Sequence, residues 1–482
     1  MDDVDALDPV EQAAAPGVVG GGAGHRLPED ERGRRGLGAG VPGPLGDADD
    51  DGGAGVGTHG DLAGGRGCRD AGRLANAGVG AGPCAGACAR PCAGPRARPC
   101  TGPCAGPGSV RGRGPVGGSV RLVALSVGII GCGSISRAHA VSLRLLGDDG
   151  LVRLVALADP DPAGIERVEQ IAGPVARRYT DGRDLIADPD VEAVLVIAPT
   201  KHHRELIAAV AEAGKPCFTE KPLAPTFPVV TEIVDLVERA GIPTQVGFQS
   251  RFHPILRFLH GVVADARYGR PMGYVIRDDQ FWPTTDVMEG HTAWRSSAAE
   301  AGGGALLEHS IHSCDIACWL FGPVTRVYAR TRHVFGYDVE DTAALTIEHA
   351  NGVVGTLLTI FNGVIDREER RIEVFLEQAA IEATTDFVVG APEDSLLVKE
   401  RSGPAERIDT QALCRESFVR DGVDVDRPFY VYQYLAHRAF ARSLAAGTPP
   451  SPGVRDALAA HQLVEAAYRS ARTGVPVAIA DL

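Results

Sequence analysis

Between Arg121 and Phe248 the chain alternates short β-branched runs with longer amphipathic ones, and few folds accept that order. "RLVALSVGII", "LVRLVALAD", "VEAVLVIAP" and "TQVGF" have the composition of strands. The stretches between them carry apolar residues at helical spacing and stop at glycines such as Gly214. Strand and helix in repetition predict α/β architecture with a doubly wound parallel sheet, whose ligands sit beyond the carboxyl ends of the strands. Thr200 and Glu220-Lys221-Pro222 fall at two such ends.

The residues before this region cannot join that sheet. The first 120 hold 32 of the 61 glycines and no Phe, Tyr, Trp, Ile or Lys, too little apolar area to offset the entropy of ordering. Residues 1–119 are therefore expected to be a disordered low-complexity extension. Six of the eleven cysteines lie there, mostly in "PCAGACARPCAGPRARPCTGPCAGPGS", without His or Cys-x-x-Cys, so no metal site is expected. The pattern suits a short repeat, and the natural protein is expected to begin near Val120.

Setting that segment aside leaves 48 acidic and 36 basic residues, a formal net charge of -12. Such a balance repels phosphate backbones and anionic membranes, so neither nucleic acid nor a membrane is an expected partner. The start "MDDVDALDPV" lacks the layout of a secretion signal, the most apolar run is about half a membrane span, and the remaining cysteines are scattered. A cytoplasmic protein is expected.

The first strand runs into "GCGSIS". Gly131, Gly133 and Ser136 fit G-x-G-x-x-[G/A] except that Ser takes the third position. The first glycine permits a tight turn and the second lets backbone approach a pyrophosphate at the helix N-terminus, with Ser134 and Ile135 in the same loop. The second strand ends in Asp159, placed to accept from ribose hydroxyls. No Arg or Lys follows in "ADPDPAG" to neutralise a 2′-phosphate, which favours NAD over NADP.

A second chemical cluster is "LLEHSIHSCD", residues 306–315. Residues 305–321 have the length and apolar content of one helix, entered from a flexible "AGGG" and stopped by Gly322-Pro323. At about 100° per residue, Leu307, Ile311, Cys314 and Cys318 form a core stripe, and Glu308, His312 and Asp315 form a second stripe. His309 is set apart from those three as a bystander. Acid/base or substrate binding is expected, and no metal, since the H-E-x-x-H order is absent.

Six blocks, "VGIIGCGSISRAH", "VLVIAPTKHH", "AGKPCFTEKPLA", "VGFQSRF", "WR" followed by "AGGGALLEHSIHSCDIACWLFG", and "VEDTAALTIEHANGVVGTL", together resemble the Gfo/Idh/MocA oxidoreductases over nearly all of residues 120–482. The resemblance implies a Rossmann domain at 120–249. It further implies an α+β domain at 250–482 with a large, mostly antiparallel open sheet whose face often mediates dimers or tetramers. It implies a nicotinamide cofactor and a sugar, inositol or related polyol as substrate. Carried over by position, Lys221 is the active-site lysine, commonly beside a cis Lys-Pro bond, and His312 with Glu308 completes the catalytic set. Glu308 stands where the family usually has Asp, and Ser310 where Gly is common. His203 matches the family's usual His beside Thr200.

Oxidising a secondary alcohol needs a base for the hydroxyl proton while a hydride leaves the same carbon, and either His312 or Lys221 suits that role. Glu308 would bind a neighbouring hydroxyl or orient the imidazole. Arg251, Trp294, Arg295 and Asp315 are candidate substrate-pocket residues. Three functions fit: an NAD-dependent dehydrogenase, a redox-neutral NAD-dependent hydrolase or lyase, and a non-enzymatic NAD-dependent sensor. The dehydrogenase is the leading expectation, and retention of Lys221 and His312 argues against the sensor. Farther on, Asn351-Gly352 suggests a hairpin, and helical segments are expected near 428–446 and 454–473.

Overall fold

The computed structural model describes residues 124–281, 293–364, 368–385, 389, 391–425 and 432–482. The expected extension at 1–119 lies outside them.

The first sheet is built from β1 (Leu125–Ile130), α1 (Ser136–Asp148), β2 (Val152–Ala158), α2 (Pro162–Ala172), β3 (Arg177–Tyr179), α3 (Gly182–Ala187), β4 (Ala193–Val196), α4 (His203–Glu212), β5 (Cys217–Thr219), α5 (Phe227–Ala240) and β6 (Thr244–Val246). Its strands lie in the order β3-β2-β1-β4-β5-β6, and every pairing is parallel. Residues such as Ile129, Val194 and Leu195 are wholly buried because helices cover both faces. The order reverses between β1 and β4. A crevice opens there at the carboxyl ends of the strands, which is where this topology binds ligands.

The chain then continues through α6 (Pro254–Ala264), β7 (Pro271–Phe281), α7 (Ala298–Ala301), α8 (Ile311–Phe321) and β8 (Val324–Arg332). It goes on to β9 (Thr342–His349), β10 (Val354–Asn362), β11 (Glu369–Leu376), β12 (Ala379–Thr385), β13 (Ser395–Glu400) and β14 (Ala405–Arg407). The last elements are α9 (Thr410–Asp421), α10 (Tyr432–Ala446), α11 (Val454–Thr473) and β15 (Val477–Ala478). Nine strands join in the order β14-β13-β12-β11-β7-β10-β9-β8-β15, antiparallel except where β7 meets β10. The hairpin expected at Asn351-Gly352 joins β9 to β10, with Gly352 at φ 85°.

Burial alternates strictly along β9 and β10, so one face of this sheet packs on α8 and α11 and the other is open. On the open face Val275, Val354, Leu358 and Phe375 remain exposed. The last two long helices return to the first sheet: α10 packs on α1, and α11 packs on α5. They therefore clamp the two sheets.

One expectation about the segment before α8 needs correction. Gly302, Gly303 and Gly304 are not a flexible entry. A Cβ added at Gly302 would stand 1.9 Å from the Pro225 carbonyl oxygen, one at Gly303 2.1 Å from the Tyr468 hydroxyl, and one at Gly304 1.8 Å from the Glu340 carbonyl oxygen. These glycines let three backbones meet at contact distance.

Candidate active site

Residues 305–321 are not one regular helix. Ala305–His309 form a single π-turn, Ser310 breaks the geometry at φ -81°, ψ 8°, and α8 starts at Ile311. The angular spacing of an uninterrupted α-helix therefore does not apply across 308–312. Glu308, His309 and His312 all line one cleft, and Asp315 does not.

That cleft, about 880 Å³, runs from the glycine loop after β1 to the start of α8. At its nucleotide end, Gly131 (φ 99°) lies so close to β4 that a Cβ would be 2.5 Å from the Ala198 nitrogen, whereas a Cβ on Gly133 would meet nothing within 4 Å. The loop is thus pressed against the sheet on one side and open to the cleft on the other, as a diphosphate seat requires. Ser134, Ile135 and Thr200 line the same end, with Ile135 41% exposed. Asp159 lines it too, and each of its oxygens accepts a backbone amide, from Cys132 at 2.6 Å and from Asp161 at 2.8 Å. The carboxylate therefore braces the glycine loop and keeps one lone pair per oxygen for a ligand.

Arg167 of α2 also reaches this end, 3.2 Å from Asp161. Sequence reasoning missed it because it follows Asp159 by two helical turns, beyond "ADPDPAG". His203 lines the cleft as expected, but its Nε2 donates to the Ala198 carbonyl at 2.9 Å, which ties down the β4–α4 connection.

At the other end stand Lys221, Trp294, Arg295, Glu308, His309 and His312. The Lys221-Pro222 peptide is cis. Lys221 Nζ donates to the Glu308 carbonyl oxygen at 2.7 Å. Burial lowers its ammonium below the usual lysine range, against the pull of Glu220 and Glu308. Glu220, also expected at the cofactor, lines the cleft too, and its carboxylate accepts from the Lys221 amide at 3.0 Å and from Gln249 Nε2 at 2.5 Å.

Glu308 is 6% exposed; burial raises its carboxyl above the usual range, partly offset by Arg295 and Lys221. Its Oε2 lies 3.5 Å from Arg295 Nε, and Oε1 has no hydrogen-bond partner among the described residues. Arg295 in turn lies over the Trp294 ring at 5.4 Å. His312 Nδ1 also lacks a partner among the described residues. Burial, and then the cations of Lys221 and Arg370, drive its imidazole well below the ordinary histidine range, so it is neutral near pH 7.

His309, expected to stand apart in a structural or surface role, lines the cleft and also makes a buried contact. Its Nε2 faces Asp278 Oδ1 at 3.0 Å, and Asp278 also accepts from Ser310 at 2.9 Å, Ser313 at 2.6 Å and Arg370 at 3.3 Å. Burial pushes the Asp278 carboxyl up, and Arg370 with His309 more than reverses it, holding it well below the usual range. Ser310 thus uses its hydroxyl, which a glycine at that position would lack. Nothing in the alternation of β7 marked Asp278 as special.

Arg251 and Asp315 are corrected out of the pocket. Arg251 holds Asp315 with two bonds, 2.7 and 2.5 Å, and reaches Asp456 at 3.0 Å, joining the Gln249–Phe252 turn, α8 and the first turn of α11. Their polar atoms are spent on one another in the core. Residues that the sequence did not mark include Gln280 and Gln433, which line the cleft from β7 and α10. Among the described residues no cluster of His, Cys, Asp and Glu could hold a metal ion.

Known proteins resemble this chain in sequence and fold. The family model for the oxidoreductase family with NAD-binding Rossmann fold matches residues 125–248, and that for the GFO/IDH/MocA C-terminal domain matches residues 256–382. An inositol 2-dehydrogenase of Burkholderia multivorans is 29% identical over 369 residues, covering 74% of this chain and 98% of that protein. A D-apiose dehydrogenase of Paraburkholderia graminis is 27% identical over 370 residues, covering 73% and 89%. Among solved structures, levoglucosan dehydrogenase in complex with NADH has the same fold, with a TM-score of 0.66 at 23% identity over 74% of this chain and 99% of that one. Two matching halves in the right order, around one cleft that joins the glycine loop to Lys221 and His312, establish that this chain belongs to the Gfo/Idh/MocA family of oxidoreductases.

Proposed function

We propose that the protein is an NAD-dependent dehydrogenase that interconverts a secondary alcohol and its ketone on a sugar, inositol or related polyol. The observation that carries this reading is the continuity of the cleft, since a dinucleotide seat and an acid/base set open into the same space. In this division of labour residues 120–249 hold the cofactor and residues 250–482 shape the substrate pocket and the contacts between subunits. Gly131, Gly133, Ser134, Ile135, Asp159 and Thr200 would hold the dinucleotide, whose nicotinamide supplies the two-electron acceptor when bound.

The protein's own groups then divide the proton chemistry. His312, neutral and with Nδ1 unsatisfied among the described residues, takes the hydroxyl proton. Lys221, fixed as a donor toward Glu308 O, has further N–H bonds with which to stabilise the developing alkoxide. Glu308 Oε1 accepts from a neighbouring hydroxyl, and Arg295 and Trp294 close the pocket wall. The donors and acceptors of this wall, Lys221, Arg295, Glu308, His309 and His312, suit a polyhydroxylated substrate.

The relatives named above support the substrate class, and the fold neighbour bound to NADH supports the cofactor. NAD over NADP rests on Asp159, with Arg167 as a counterweight. Self-association into dimers or tetramers through the open face of the nine-stranded sheet is supported by Val275, Val354, Leu358 and Phe375, exposed on three adjacent strands. A reducing, cytoplasmic setting suits the five cysteines among the described residues, which are free and four of which are buried. No helix among the described residues is long and apolar enough to cross a membrane.

The test is a panel of inositols, aldoses, uronic acids and amino sugars with NAD and NADP, followed by absorbance of the reduced cofactor. At least one polyol should yield net reduced cofactor, and that yield should vanish in Lys221→Ala while NAD binding persists. Absence of net reduction with every panel member would sink the proposal.

A further inference from the structure

Behind Glu220, on the side away from the cleft, lies a file of polar groups that the chemistry above does not use. Ser142 and His139 belong to α1, and His437 belongs to α10, almost three hundred residues later. Ser142 Oγ is 2.8 Å from His437 Nδ1, and His437 Nε2 is 3.0 Å from His139 Nδ1. His139 Nε2 is 3.1 Å from Glu220 Oε1, within contact but off the line of a straight N–H···O bond. All four side chains are buried: Ser142 and His139 are 0% exposed, His437 2% and Glu220 6%. Phe218, two residues before Glu220, sets its ring edge-on to His437 at 4.6 Å.

We propose that Ser142, His437 and His139 form a relay of positioning residues that keeps the Glu220 carboxylate ionised and seated, and through it sets the charge of Lys221. The inference rests on the dehydrogenase reading for its relevance to turnover, and its structural content is independent of that reading.

Proton placement fixes the direction of the relay. A nitrogen 3.1 Å from a buried carboxylate must present N–H, because a lone pair there would face negative charge without water to screen it. In the relay as proposed, His139 presents N–H from Nε2 and accepts at Nδ1. His437 must then donate from Nε2 and accept at Nδ1, where the Ser142 hydroxyl donates. With that placement every contact in the file points toward Glu220. Burial, the larger cause, pushes the His437 imidazole well below the ordinary range, in keeping with one N–H and one lone pair on that ring.

The charged groups around the two ends are few. Lys221 faces Glu220, Glu308, Arg295 and Arg370, and His312 lies within its field. Glu220 faces His139 and Lys221, with His203 near. Burial pushes Glu220 up, and the contacts with His139 and Lys221 outweigh it, holding the carboxyl below the usual range. Gly247 completes the seat, since a Cβ there would come within 2.8 Å of Glu220 Oε1. A hydrogen-bonded file inside a cluster that contains Phe218, Tyr434 and Phe440 is costly unless each member is satisfied, which argues for a role beyond packing. One turn before His437, Gln433 lines the cleft, so α10 touches both the relay and the ligand space.

The test reads the charge of Lys221 without any substrate. The chain has four lysines, Lys201, Lys215, Lys221 and Lys399, so trace acetylation by acetic anhydride across pH, assigned by peptide mass spectrometry, follows each one. His437→Gln retains an N–H donor near the Nε2 position; His437→Asn and His437→Leu do not reach His139. The Lys221 midpoint should be unchanged in His437→Gln and should fall by roughly half a unit or more in the other two, as a weakened counter-anion requires, while Lys201 and Lys399 stay put. Coincident Lys221 curves in all folded variants would overturn the relay. Should His437→Asn and His437→Leu fail to fold, Ser142→Ala keeps both rings and removes only the terminal donor. A downward shift there supports the relay, and an unshifted curve overturns it. Shifted midpoints without turnover of any polyol would sink the dehydrogenase reading alone, and turnover with unshifted midpoints would sink the relay alone.

Discussion

Lys221 is bonded to the backbone of Glu308, not to its carboxylate: Nζ donates to the carbonyl oxygen at 2.7 Å, while the side chain turns toward Arg295. Glu308 sits in the π-turn Ala305–His309, where the backbone departs from regular α-helix just before α8 begins. The lysine is therefore placed by main chain, and the side chain at position 308 is left for substrate.

Glu308→Gln separates the two roles. The carbonyl that holds Lys221 remains, so NAD affinity and folding should be unchanged within error. The neutral amide accepts a substrate hydroxyl less strongly, and kcat for polyol oxidation should fall by about 10- to 100-fold. Steady-state kinetics beside cofactor titration decides it: an equal loss of NAD binding would mean that the carboxylate organises the site.

The pH profile follows from two depressed groups. His312 must be neutral to accept a proton, and its folded value lies well below the ordinary histidine range. Oxidation should therefore be fully supported at pH 7 and lost only as pH falls through that lowered value, beneath about 6.5. Lys221 is also lowered, so the alkaline limb, where the ammonium is lost, should lie below the usual lysine range of about 10.4. His312→Asn should remove the acid limb and leave the alkaline one; persistence of the acid limb would reassign the base.

Arg251 and Asp315 make a structural prediction. Burial raises the Asp315 carboxyl to about 6 despite the guanidinium beside it. Arg251→Met leaves that carboxyl buried without its partner, and breaking such a pair costs about 3–5 kcal/mol. The loss should be greater at pH 8 than at pH 5, since a lone buried carboxyl can neutralise itself by taking a proton as pH falls. Urea unfolding at the two pH values measures this, and KM for the substrate should not move in a variant that stays folded.

The first sheet was legible because each strand is a short apolar run and each helix has a face, and both patterns are local. Gly131, Gly133 and Asp159 were picked out by motif spacing, Thr200 by its place at a strand end, and Lys221, Glu308 and His312 by the family resemblance; all seven line one cleft. What failed was long-range. Arg251 and Asp315 looked like pocket residues because charge near a motif is ambiguous until its partner is known, and the partners lie 64 residues apart. His309 looked idle because a single π-turn rotates it, and no pattern of apolar residues announces a π-turn. The "AGGG" segment looked flexible because glycine serves both freedom and close approach; only the carbonyls of Pro225 and Glu340 decide which.

Arg167 bears on cofactor choice. It sits at the nucleotide end of the cleft with a half-exposed guanidinium 3.2 Å from Asp161, and Asp159 stands between it and the glycine loop in sequence. A carboxylate there favours ribose hydroxyls and repels a 2′-phosphate, whereas a guanidinium can clamp that phosphate with two bonds. Asp159 should dominate, giving a higher kcat/KM with NAD. Whatever use of NADP the wild type shows should drop by about tenfold in Arg167→Ala, with the NAD value unchanged. Asp159→Asn should move the ratio the other way, because it removes the repulsion and leaves the guanidinium in place. Equal losses with both cofactors in Arg167→Ala would show instead that this side chain serves only to hold Asp161 at the start of α2.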